Sequence, residues 1–585
     1  MNQLSGEPGV IITTPDTASG GEGLVRLVGG PVGRRKLQPS TKDNDLKLAP
    51  TTTNEINLKA LAADDAQLAA VLRHITDVNA FIELFEEELV KGSKYKRPLS
   101  RGMLHHAGDM VKFDIAEDER VIDTPQRISG ALRQVYHHAC IYTFLVKKKT
   151  PGLGRLIGDA RTVNGLQRRP PDMGLPRVHA IICDILSWSH GAKTDGVGYF
   201  YQFVLNPQLR PFFRTRLAGK ARGEIRSMLF KRMPMGWKYS PWIAQQTSNF
   251  LVRGCGRAWL DDFIIGGKTK ADFSVARTTF LKRVKRYNVK IDNEALEPTT
   301  QLAALGLYFD LQRGRYRIDS EWIQRRREVF ERPRSEPQTI RSVLELFGTL
   351  IWASHVCCRP LWEHAEAMAC LSAAAKACEG DYERMWTIPQ YAQKDIDEWI
   401  RQVTKNDWVT REDVVRRPQD EHYIFSDASD TGGGFVEVLK GAIVASDSWR
   451  RSGGEHIFLA ETEALAAGGK HTADVLAPLY CTDNQPLHYA VSKGHSSSYA
   501  ANCLLRETFG HQWPRSAWLP TDVNTTADKL SRDHAYRVQP GPVNEELSRA
   551  IDYVERTTTG GESANSKRFN NPASTFAQHH TCGEV

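Results

Sequence analysis

Residues 258–267 read AWLDDFIIGG, in which two adjacent carboxylates stand between two apolar, β-forming runs. Inside a packed strand these ionised side chains would be strongly disfavoured by the loss of water. Asp261 and Asp262 are therefore expected at the tip of a hairpin, or beside cations that neutralise them. An Asp-Asp pair in a tight turn is also common for purely structural reasons, so the neighbouring sequence must decide between a turn and a catalytic pair.

Around this hairpin, short β-rich segments alternate with helical ones. A single acid, Asp195, opens DGVGYFYQF, and the segment PMGWKYSP (234–241) predicts a glycine turn that leads into a helix at SPWIAQQTSNFLVRGC (240–255). This mixture predicts an α+β domain whose strands carry the polar motifs. The other β-rich segments are AIICDIL (180–186), GYFYQFVL (198–205), SMLFKRM (227–233) and LAALGLYFDL (302–311).

Acids from two strands, together with nearby basic segments, are what a nucleotide polymerase needs. Two Mg²⁺ ions, about 3.5–4 Å apart, stabilise the attacking and leaving oxygens of a phosphoryl transfer. Mg²⁺ prefers hard oxygen ligands, which carboxylates supply, and cationic side chains hold the triphosphate. Basic residues stand upstream, in KKK (147–149) and in RLIGDARTVN (155–164).

In this order, the motifs of residues 147–310 resemble the fingers and palm of reverse transcriptases. The resemblance is best to the tyrosine-recombinase retrotransposons, the DIRS, Ngaro and VIPER-type elements. It implies that Asp195 and Asp261 are the principal metal ligands, that Asp262 stands beside them, and that the ions are Mg²⁺, with Mn²⁺ as a possible substitute.

The same resemblance implies a set of substrate contacts. It includes a basic fingertip, a triphosphate-binding arginine, an aromatic ring that clashes with a ribose 2′-hydroxyl, a turn and helix that support template and incoming base, and a primer-grip hairpin. The residues at these positions are Lys148, Lys149, Arg155, Arg161, Phe200, Gly236, Trp237, Ser240, Gln245, Leu305 and Gly306.

Two positions depart from the family's pattern, and one further family residue, a lysine, is not clearly placed. Trp259 stands where a Tyr usually precedes the paired aspartates, so the ring is kept and the hydroxyl is lost. Met235 replaces a frequent Gln, which removes a polar contact to the nucleotide. The Lys expected in the following segment has only Lys290 as a candidate. These departures bear on efficiency and fidelity more than on the chemistry.

A second set of acids lies nearer the C-terminus. Asp427 ends the apolar run YIFSD, Glu461 opens a helical run, Asp483 ends LYCTD, and Asp528 lies in NTTADKLSR (524–532). Each acid alone is explained as a turn, solvated or capping residue. Their joint spacing resembles ribonuclease H, which implies four carboxylates that bind two Mg²⁺ ions and cut the RNA strand of an RNA–DNA hybrid.

Two details of this second set stay open. Glu463 is a rival to Glu461, although Ala464, three residues after Glu461, favours Glu461. Many ribonuclease H relatives carry a His shortly before the last motif, and Trp518 lies near that position here. An assisting His is therefore not expected.

These motifs divide the chain into segments. The expected fold class is α+β, a right-hand polymerase of fingers, palm and thumb with a helical connection, followed by an α/β ribonuclease H-like domain. A helix is expected from Leu68 to Leu89, where apolar residues recur every three or four positions and Gly92 follows. The segments are 1–60, disordered; 61–310, helical extension, fingers and palm; 311–415, thumb and connection; 416–536, ribonuclease H; and 537–585, a low-complexity tail.

Composition adds weaker limits. Lys plus Arg number 77 against 69 for Asp plus Glu, a net charge of +8 that permits a polyanionic partner without requiring one. The ten cysteines have no disulfide or zinc-finger spacing. A metal cluster is conceivable at His355, Cys357, Cys358, His364 and Cys370, but that stretch is apolar and helical and favours small buried residues. Without an apolar span or a secretory signal, a reducing, intracellular location is expected, cytoplasmic or nuclear.

Both sites together predict an RNA-directed and DNA-directed DNA polymerase with ribonuclease H activity. Its partners would be an RNA template, a DNA primer, the RNA–DNA hybrid and deoxynucleoside triphosphates, with no membrane. An RNA-dependent RNA polymerase is the rival enzyme, but it predicts a small or polar residue at position 200 and no ribonuclease H. The other alternative is a decayed or domesticated element that is retained as a nucleic-acid-binding scaffold without catalysis. Oligomeric state does not follow from the sequence.

Overall fold

The structure is a computed structural model in which two compact units can be distinguished, Lys36–Gly314 and Arg315–Cys582, apart from short terminal stretches. Both units mix helix and sheet. The residues that the structure describes are 47–48, 54–86, 89–90, 115–117, 132–133, 135–136, 141–147, 153–218, 225–415, 421–472 and 478–559.

Among its described residues, the first unit contains three small three-stranded sheets and a further hairpin. In sheet order, the sheets are Lys47–Leu48, Leu153–Asp159 and Tyr142–Lys147; Ile115–Glu117, Ile225–Phe230 and Arg214–Ala218; and His190–Asp195, Asp262–Gly267 and Gly256–Trp259. The hairpin pairs Gln301–Ala304 with Leu307–Asp310. The helices are Leu58–Asp64, Ala66–Thr76, Val78–Ile82, Arg161–Asn164, Val178–Leu186, Ser240–Val252 and Lys270–Arg286, with 3₁₀ turns at Tyr199–Gln202 and Pro207–Phe213.

The AWLDDFIIGG segment forms the predicted hairpin. Its strands, Gly256–Trp259 and Asp262–Gly267, pair in antiparallel fashion, and His190–Asp195 pairs along the other edge of the second strand. Phe263 is fully buried and packs against Phe280 of the helix Lys270–Arg286. This contact anchors the strand Asp262–Gly267 in the core. The polar turn that precedes the strand lies at one end of the sheet.

Two segments expected to be β-rich are helical instead. Residues 180–186 belong to the helix Val178–Leu186, in which Ile181, Ile182, Ile185 and Leu186 are buried at helical spacing. The β-branched residues were a weaker signal than this periodicity. Residues 199–202 form a 3₁₀ turn because Gly198 adopts a left-handed φ of 55° and redirects the chain.

The expected disorder up to residue 60 is wrong for the part that the structure describes. Ile56 is buried, and the Asn57 side chain caps the helix Leu58–Asp64 by accepting from the Ala60 N–H. The long helix expected over 68–89 is divided, because the helix that Asp65 caps ends at Thr76 and Asp77 caps a new helix, Val78–Ile82. Among residues 1–53, the structure describes only the strand Lys47–Leu48.

The second unit begins with a mostly helical region, as expected. Its helices are Ser320–Arg325, Arg327–Glu331, Ile340–Val356, Ala365–Cys378, Gln390–Lys405 and Arg411–Val415, with a 3₁₀ turn at Leu361–His364. Short strands pair Arg315–Ile318 with Val409–Thr410, and Gln338–Thr339 with Met385–Trp386.

A six-stranded sheet follows in the same unit. In sheet order its strands are Arg515–Trp518, Leu479–Thr482, His422–Ala428, Gly432–Leu439, Ala442–Arg450 and Gly541–Pro542. The first three strands run parallel and the others antiparallel, so Asp427 and the residue after Thr482 meet at one edge of the sheet. Helices Ile457–His471, Gln485–Lys493, Tyr499–Phe509, Thr525–Arg532 and Glu545–Thr559 accompany it.

The last of these helices corrects the expected low-complexity tail from residue 537. Leu547, Ala550 and Val554 are buried and share a core with Phe425 and Val436. Their spacing of three and four residues is that of an apolar helix face. The polar residues around them concealed this short signal. Residues 560–585 lie outside the described ranges.

The cysteine-rich stretch is packed as small buried residues. Burial raises the pKa of Cys357 and of Cys370 to about 12, so both thiols are protonated at neutral pH. His364 Nδ1 is 2.8 Å from Asp395 Oδ1, and the His355 Nδ1 is 2.8 Å from the Ile351 carbonyl oxygen. These histidine nitrogens are used in the protein's own hydrogen bonds, which leaves the metal-cluster alternative without support.

Within the described ranges, no helix combines the length and the apolar composition that crossing a membrane requires.

Candidate active sites

Three carboxylates meet at one end of the sheet in the first unit. Asp195 ends its strand directly opposite Asp262 in the register, and the Gly196 N–H donates to the Asp261 carbonyl oxygen at 2.8 Å. The two motifs are separated by more than sixty residues in the chain. The structure thus brings together the three acids that the sequence singled out for the first site.

The turn that presents Asp261 is braced from the helix Ser240–Val252. Leu260 adopts a left-handed φ of 53°, a conformation that costs a branched residue energy unless its surroundings hold it. Its N–H donates to Gln245 Oε1 and its carbonyl accepts from Ser248 Oγ, each at 2.6 Å. Both side chains are fully buried. Ser248 was not anticipated, although it lies three residues after Gln245 on the same helix.

Asp195 is held by a residue that sequence reasoning missed. One oxygen of Asp292 accepts the Asp195 N–H at 2.9 Å and the Thr194 hydroxyl at 2.8 Å. The Asp292 N–H in turn donates to the Asp195 carbonyl at 2.9 Å. The backbone that carries the Asp195 carboxylate is therefore fixed before any substrate binds.

A second missed residue, Lys193, lies between the carboxylates. Its Nζ is 3.1 Å from Asp195 Oδ1 and 3.1 Å from Asp262 Oδ1. Lys193 precedes Asp195 by two residues, so strand alternation puts both side chains on one face. This alternation of side chains along the strand was the sequence signal that could have identified Lys193.

Burial and mutual repulsion govern the charge of this site. Burial, together with the neighbouring Asp195 and Asp261, raises the pKa of Asp262 to about 7, against the opposing effect of Lys193. Burial also raises the pKa of Asp261, against the lowering effect of Arg155 and Lys193. Carboxylates crowded in this way need cations to be ionised together. Oxygen donors alone make up the set, which fits Mg²⁺ or Mn²⁺.

The expected substrate contacts fall into three groups, of which the first lies near the acids. Arg155, on the strand Leu153–Asp159, is close enough to lower the pKa of Asp261. Arg161 is held by Asp159, with 2.8 Å from Nε to Oδ1 and 2.6 Å from Nη2 to Oδ2. Phe200 is 8% exposed in the 3₁₀ turn after Asp195. Lys148 and Lys149 lie outside the described residues.

The second group supports the site from inside. Trp237, Ser240 and Gln245 are fully buried. Trp237 Nε1 donates to Gln167 Oε1 at 2.8 Å, and Ser240 Oγ donates to the Pro234 carbonyl at 2.8 Å. Their expected support of the template and the incoming base stays a prediction. Their polar atoms are used within the protein, and their role is to hold the turn and the hairpin.

Glycine turns form the third group. Gly236 is exposed, with a φ of 104°, and a Cβ there would lie 2.2 Å from the Gly158 carbonyl oxygen, so only glycine fits this close approach. Leu305 and Gly306, with φ of 54° and 76°, make the two-residue turn of the predicted hairpin. Their expected contact with a primer stays a prediction. Lys290 Nζ lies 3.6 Å from Glu294 on the surface.

The second group of carboxylates gathers at the edge of the six-stranded sheet. Asp427, Glu461 and Asp483 each offer an oxygen within 4.8 Å of the others, and among the described residues no other trio of His, Cys, Asp and Glu is this close. Asp427 comes from a central strand, Glu461 from the helix Ile457–His471, and Asp483 follows Leu479–Thr482. The charge of Asp528, on the helix Thr525–Arg532, raises the pKa of Asp427 and of Asp483, so Asp528 faces the same group.

Several residues hold these acids in place. Ser531 Oγ donates to Asp427 Oδ2, and Asn524 Nδ2 donates to the Ser426 carbonyl at 3.0 Å. Trp518 Nε1 donates to the Asp483 carbonyl at 2.9 Å while its ring is partly exposed. Arg532 Nε lies 2.6 Å from Asp528 Oδ1. Ser531 was missed because its contact spans 104 positions of the chain.

The two rival glutamates, Glu461 and Glu463, make different contacts. Glu461 is buried in the carboxylate group, and its Oε2 has no hydrogen-bond partner among the residues that the structure describes. Glu463 instead lies 3.3 Å from Arg451 Nη1. A buried carboxylate oxygen without a donor is costly, and a bound cation would remove that cost. The structure therefore favours Glu461 as a ligand.

The electrostatics of the second group also fit a metal. Burial, together with the charges of Asp427 and Asp483, raises the pKa of Glu461 to about 9. Burial likewise raises the pKa of Asp427 to about 7, which the Ser531 hydrogen bond opposes. The raised values mean that protons occupy the group near neutral pH when no metal is bound. A hard divalent cation would displace these protons.

A pH-dependent stability is therefore expected in the presence of a chelator. These folded-state pKa values lie above the ordinary values of 3.8 and 4.5, so the folded protein holds protons that the unfolded chain has released. Stability should fall as pH rises from about 4 to about 7 for Asp427 and to about 9 for Glu461, by up to about 1.4 kcal/mol per pH unit for one group, and these two groups should cause no further loss above those values. Thermal unfolding at several pH values measures this, with and without Mg²⁺, which should restore stability at high pH.

Glu461→Gln serves as the control for this experiment, since it removes the most strongly shifted group. Its melting temperature in chelator should fall less steeply with pH than that of the unaltered protein. Equal slopes for the two proteins would contradict the assignment of the pH dependence to this carboxylate group.

No family model matches the sequence, and no curated protein matches it. Among solved structures, the chain is similar to the foamy viral protease-reverse transcriptase dRH in complex with double-stranded DNA, at 13% identity over 81% of this chain and 83% of that one, with a TM-score of 0.43. A TM-score this low assigns neither a fold nor an activity to this chain.

Proposed function

We propose that this chain is an RNA-directed and DNA-directed DNA polymerase with ribonuclease H activity, of the retrotransposon type that its motifs resemble. Two separate groups of carboxylates carry the proposal, each gathered from distant segments in the order that these two activities require. In this proposal the polymerase fingers and palm lie within 61–310, thumb and connection within 311–415, and ribonuclease H from 416, extended to 559 by the packed C-terminal helix.

At the first site, Asp195, Asp261 and Asp262 would hold Mg²⁺. When bound, the ions would activate the primer hydroxyl and neutralise the charge of the leaving pyrophosphate. Asp292, Gln245 and Ser248 fix the backbone of the ligands, as their hydrogen bonds support. Arg155, whose charge reaches Asp261, is suited to the triphosphate. Lys148 and Lys149 are proposed as further basic contacts from the sequence alone.

At the second site, Asp427, Glu461, Asp483 and Asp528 would hold the metal ions for hydrolysis of the RNA strand. Ser531 orients Asp427 through its hydrogen bond, and Asn524 fixes the adjacent Ser426 carbonyl. The exposed part of the Trp518 ring, beside Asp483, offers an apolar surface to the substrate. The expected substrate is an RNA strand paired with DNA.

Primer extension by the intact chain tests the proposal. A labelled DNA primer on an RNA template, with deoxynucleotides and Mg²⁺, should be extended, and a chelator should stop the reaction. Extension with ribonucleotides alone would point to an RNA polymerase. Binding of the template and primer without extension in either mixture would favour a non-catalytic scaffold and overturn the proposal.

Sugar selection is expected to depend on Phe200. Its side chain is 8% exposed and lies in the 3₁₀ turn Tyr199–Gln202, which follows Asp195. In Phe200→Val, the smaller side chain should admit a 2′-hydroxyl, and the preference for deoxynucleotides over ribonucleotides should fall about 10- to 100-fold. Single-nucleotide insertion with matched dNTP and rNTP measures the ratio of their kcat/KM values.

Phe203, fully buried three residues later, provides the control. Phe203→Val removes similar volume from the core and should lower stability without changing the sugar preference. Unchanged discrimination in a folded Phe200→Val protein would contradict the role of this ring.

A further inference from the structure

Lys193 is placed within the first carboxylate group, and its ammonium contacts two of the three acids. Its Nζ is equally distant, at 3.1 Å, from Asp195 Oδ1 and from Asp262 Oδ1. The Lys193 side chain is 27% exposed, so its charge is only partly screened by water. The Lys193 ammonium is therefore part of the site, and its contacts with Asp195 and Asp262 differ from an exposed surface ion pair.

The sheet register determines this position. Asp195 is opposite Asp262, and Lys193 is opposite Ile264 two positions along. Lys193 and Asp262 are therefore diagonal neighbours on one face of the antiparallel pair, within reach of a long side chain. The four-carbon stem lets the ammonium extend along the sheet to both carboxylates at its end.

An ammonium at this point competes with a metal ion. Carboxylate oxygens that bind Mg²⁺ lie about 2.0–2.1 Å from the ion, and the Lys193 Nζ occupies the space that Asp195 and Asp262 would offer jointly. Two cations held by the same oxygens would repel each other strongly. Lysine carries a compact charge on a flexible stem, so this side chain is able to withdraw when another cation enters.

We propose that Lys193 is a resident counter-ion of the first site, which holds Asp195 and Asp262 together when no metal is bound and leaves them when a metal enters. This inference rests on the proposed function, since it takes these acids as the metal ligands. Lys193 is a positioning residue. It stabilises the metal-free protein and, by competing, lowers the affinity of the site for divalent ions.

Mn²⁺ binding without nucleic acid or nucleotide tests this inference. All proteins carry Asp427→Asn, so that the second site contributes less to the titration, and free Mn²⁺ is followed by electron paramagnetic resonance. Lys193→Met should lower the Kd of the first site about tenfold. In chelator it should unfold at a lower temperature than its parent and should gain more from added Mn²⁺. A merely structural role would weaken metal binding instead.

Three further variants complete the design. Lys193→Gln is a second neutral replacement in case the methionine variant does not fold. Lys193→Arg keeps the charge and should stay near the parent affinity. Lys282→Met removes an exposed lysine from the helix Lys270–Arg286 and should change nothing.

The outcomes separate this inference from the proposed function. Unchanged or weaker Mn²⁺ binding in both neutral variants overturns the counter-ion role, even if primer extension succeeds. If Asp261→Asn binds Mn²⁺ as well as its parent, the first carboxylates are not a metal site, and both proposals fail. The inference is supported only if Lys193→Met and Lys193→Gln bind Mn²⁺ more tightly than their parent while Lys282→Met does not.

Discussion

Replacing Asp261 by asparagine is expected to reduce RNA-templated primer extension by about a hundred- to a thousand-fold. The substitution removes one negative charge where the proposed metal ions must be held, and groups of this kind typically contribute that much to kcat. Asparagine has nearly the same shape, and the turn is braced through the backbone of Leu260, which does not involve the Asp261 carboxylate. The fold should therefore persist. Single-turnover extension with a labelled primer measures the loss.

Asp407→Asn is a suitable control, because Asp407 is a half-exposed carboxylate in a surface pair with Lys405. Surface pairs contribute little, so this variant should extend primers at the parent rate. Cleavage of the RNA in a hybrid should survive in Asp261→Asn. Should Asp261→Asn extend primers as fast as the unaltered chain, the polymerase proposal would be wrong.

The second large effect is expected at Asp427. Asp427→Asn should abolish detectable cleavage of a labelled RNA strand paired with DNA, while primer extension stays within about twofold of the parent. Asp427 is 3% exposed and belongs to the carboxylate group that would hold the metal ions, so its charge is lost from the site itself in this variant. The first group of acids belongs to a different compact unit, and its chemistry does not use Asp427.

Asp430→Asn provides the matched control, since Asp430 is exposed in the loop that follows the same strand. It should retain both activities. If a folded Asp427→Asn protein lost polymerisation together with cleavage, two independent sites would no longer be tenable. Circular dichroism and thermal unfolding establish that the variant is folded.

The parts of the fold that the sequence predicted have strong local signals. The hairpins at 258–267 and 302–311 are confirmed, and so are the helices Ser240–Val252 and Ile457–His471. Each combines a clear apolar period with a defined turn. Residues 180–186 were harder, because their β-branched residues favoured a strand while their burial pattern is helical. The helix Glu545–Thr559 was hidden by polar neighbours.

In the candidate sites, the acids could be predicted from the sequence, but the residues that hold or contact them could not. The acids appear in recognisable motifs, and the structure gathers them, although their catalytic roles stay predictions. Lys193, Asp292 and Ser531 could not be found in the same way, because they act through contacts that depend on the register of distant strands and helices. Trp237 and Gln245 were found by position, but the direction of their side chains follows from tertiary packing.

The bracing of Leu260 has a consequence for repeated synthesis. A turn that had to become ordered for every nucleotide would lose conformational entropy in each cycle. Here Gln245 and Ser248 fix that turn during folding. An enzyme that copies a long template would then begin each addition with its carboxylates already oriented, and only the incoming nucleotide and its ions would have to be ordered anew.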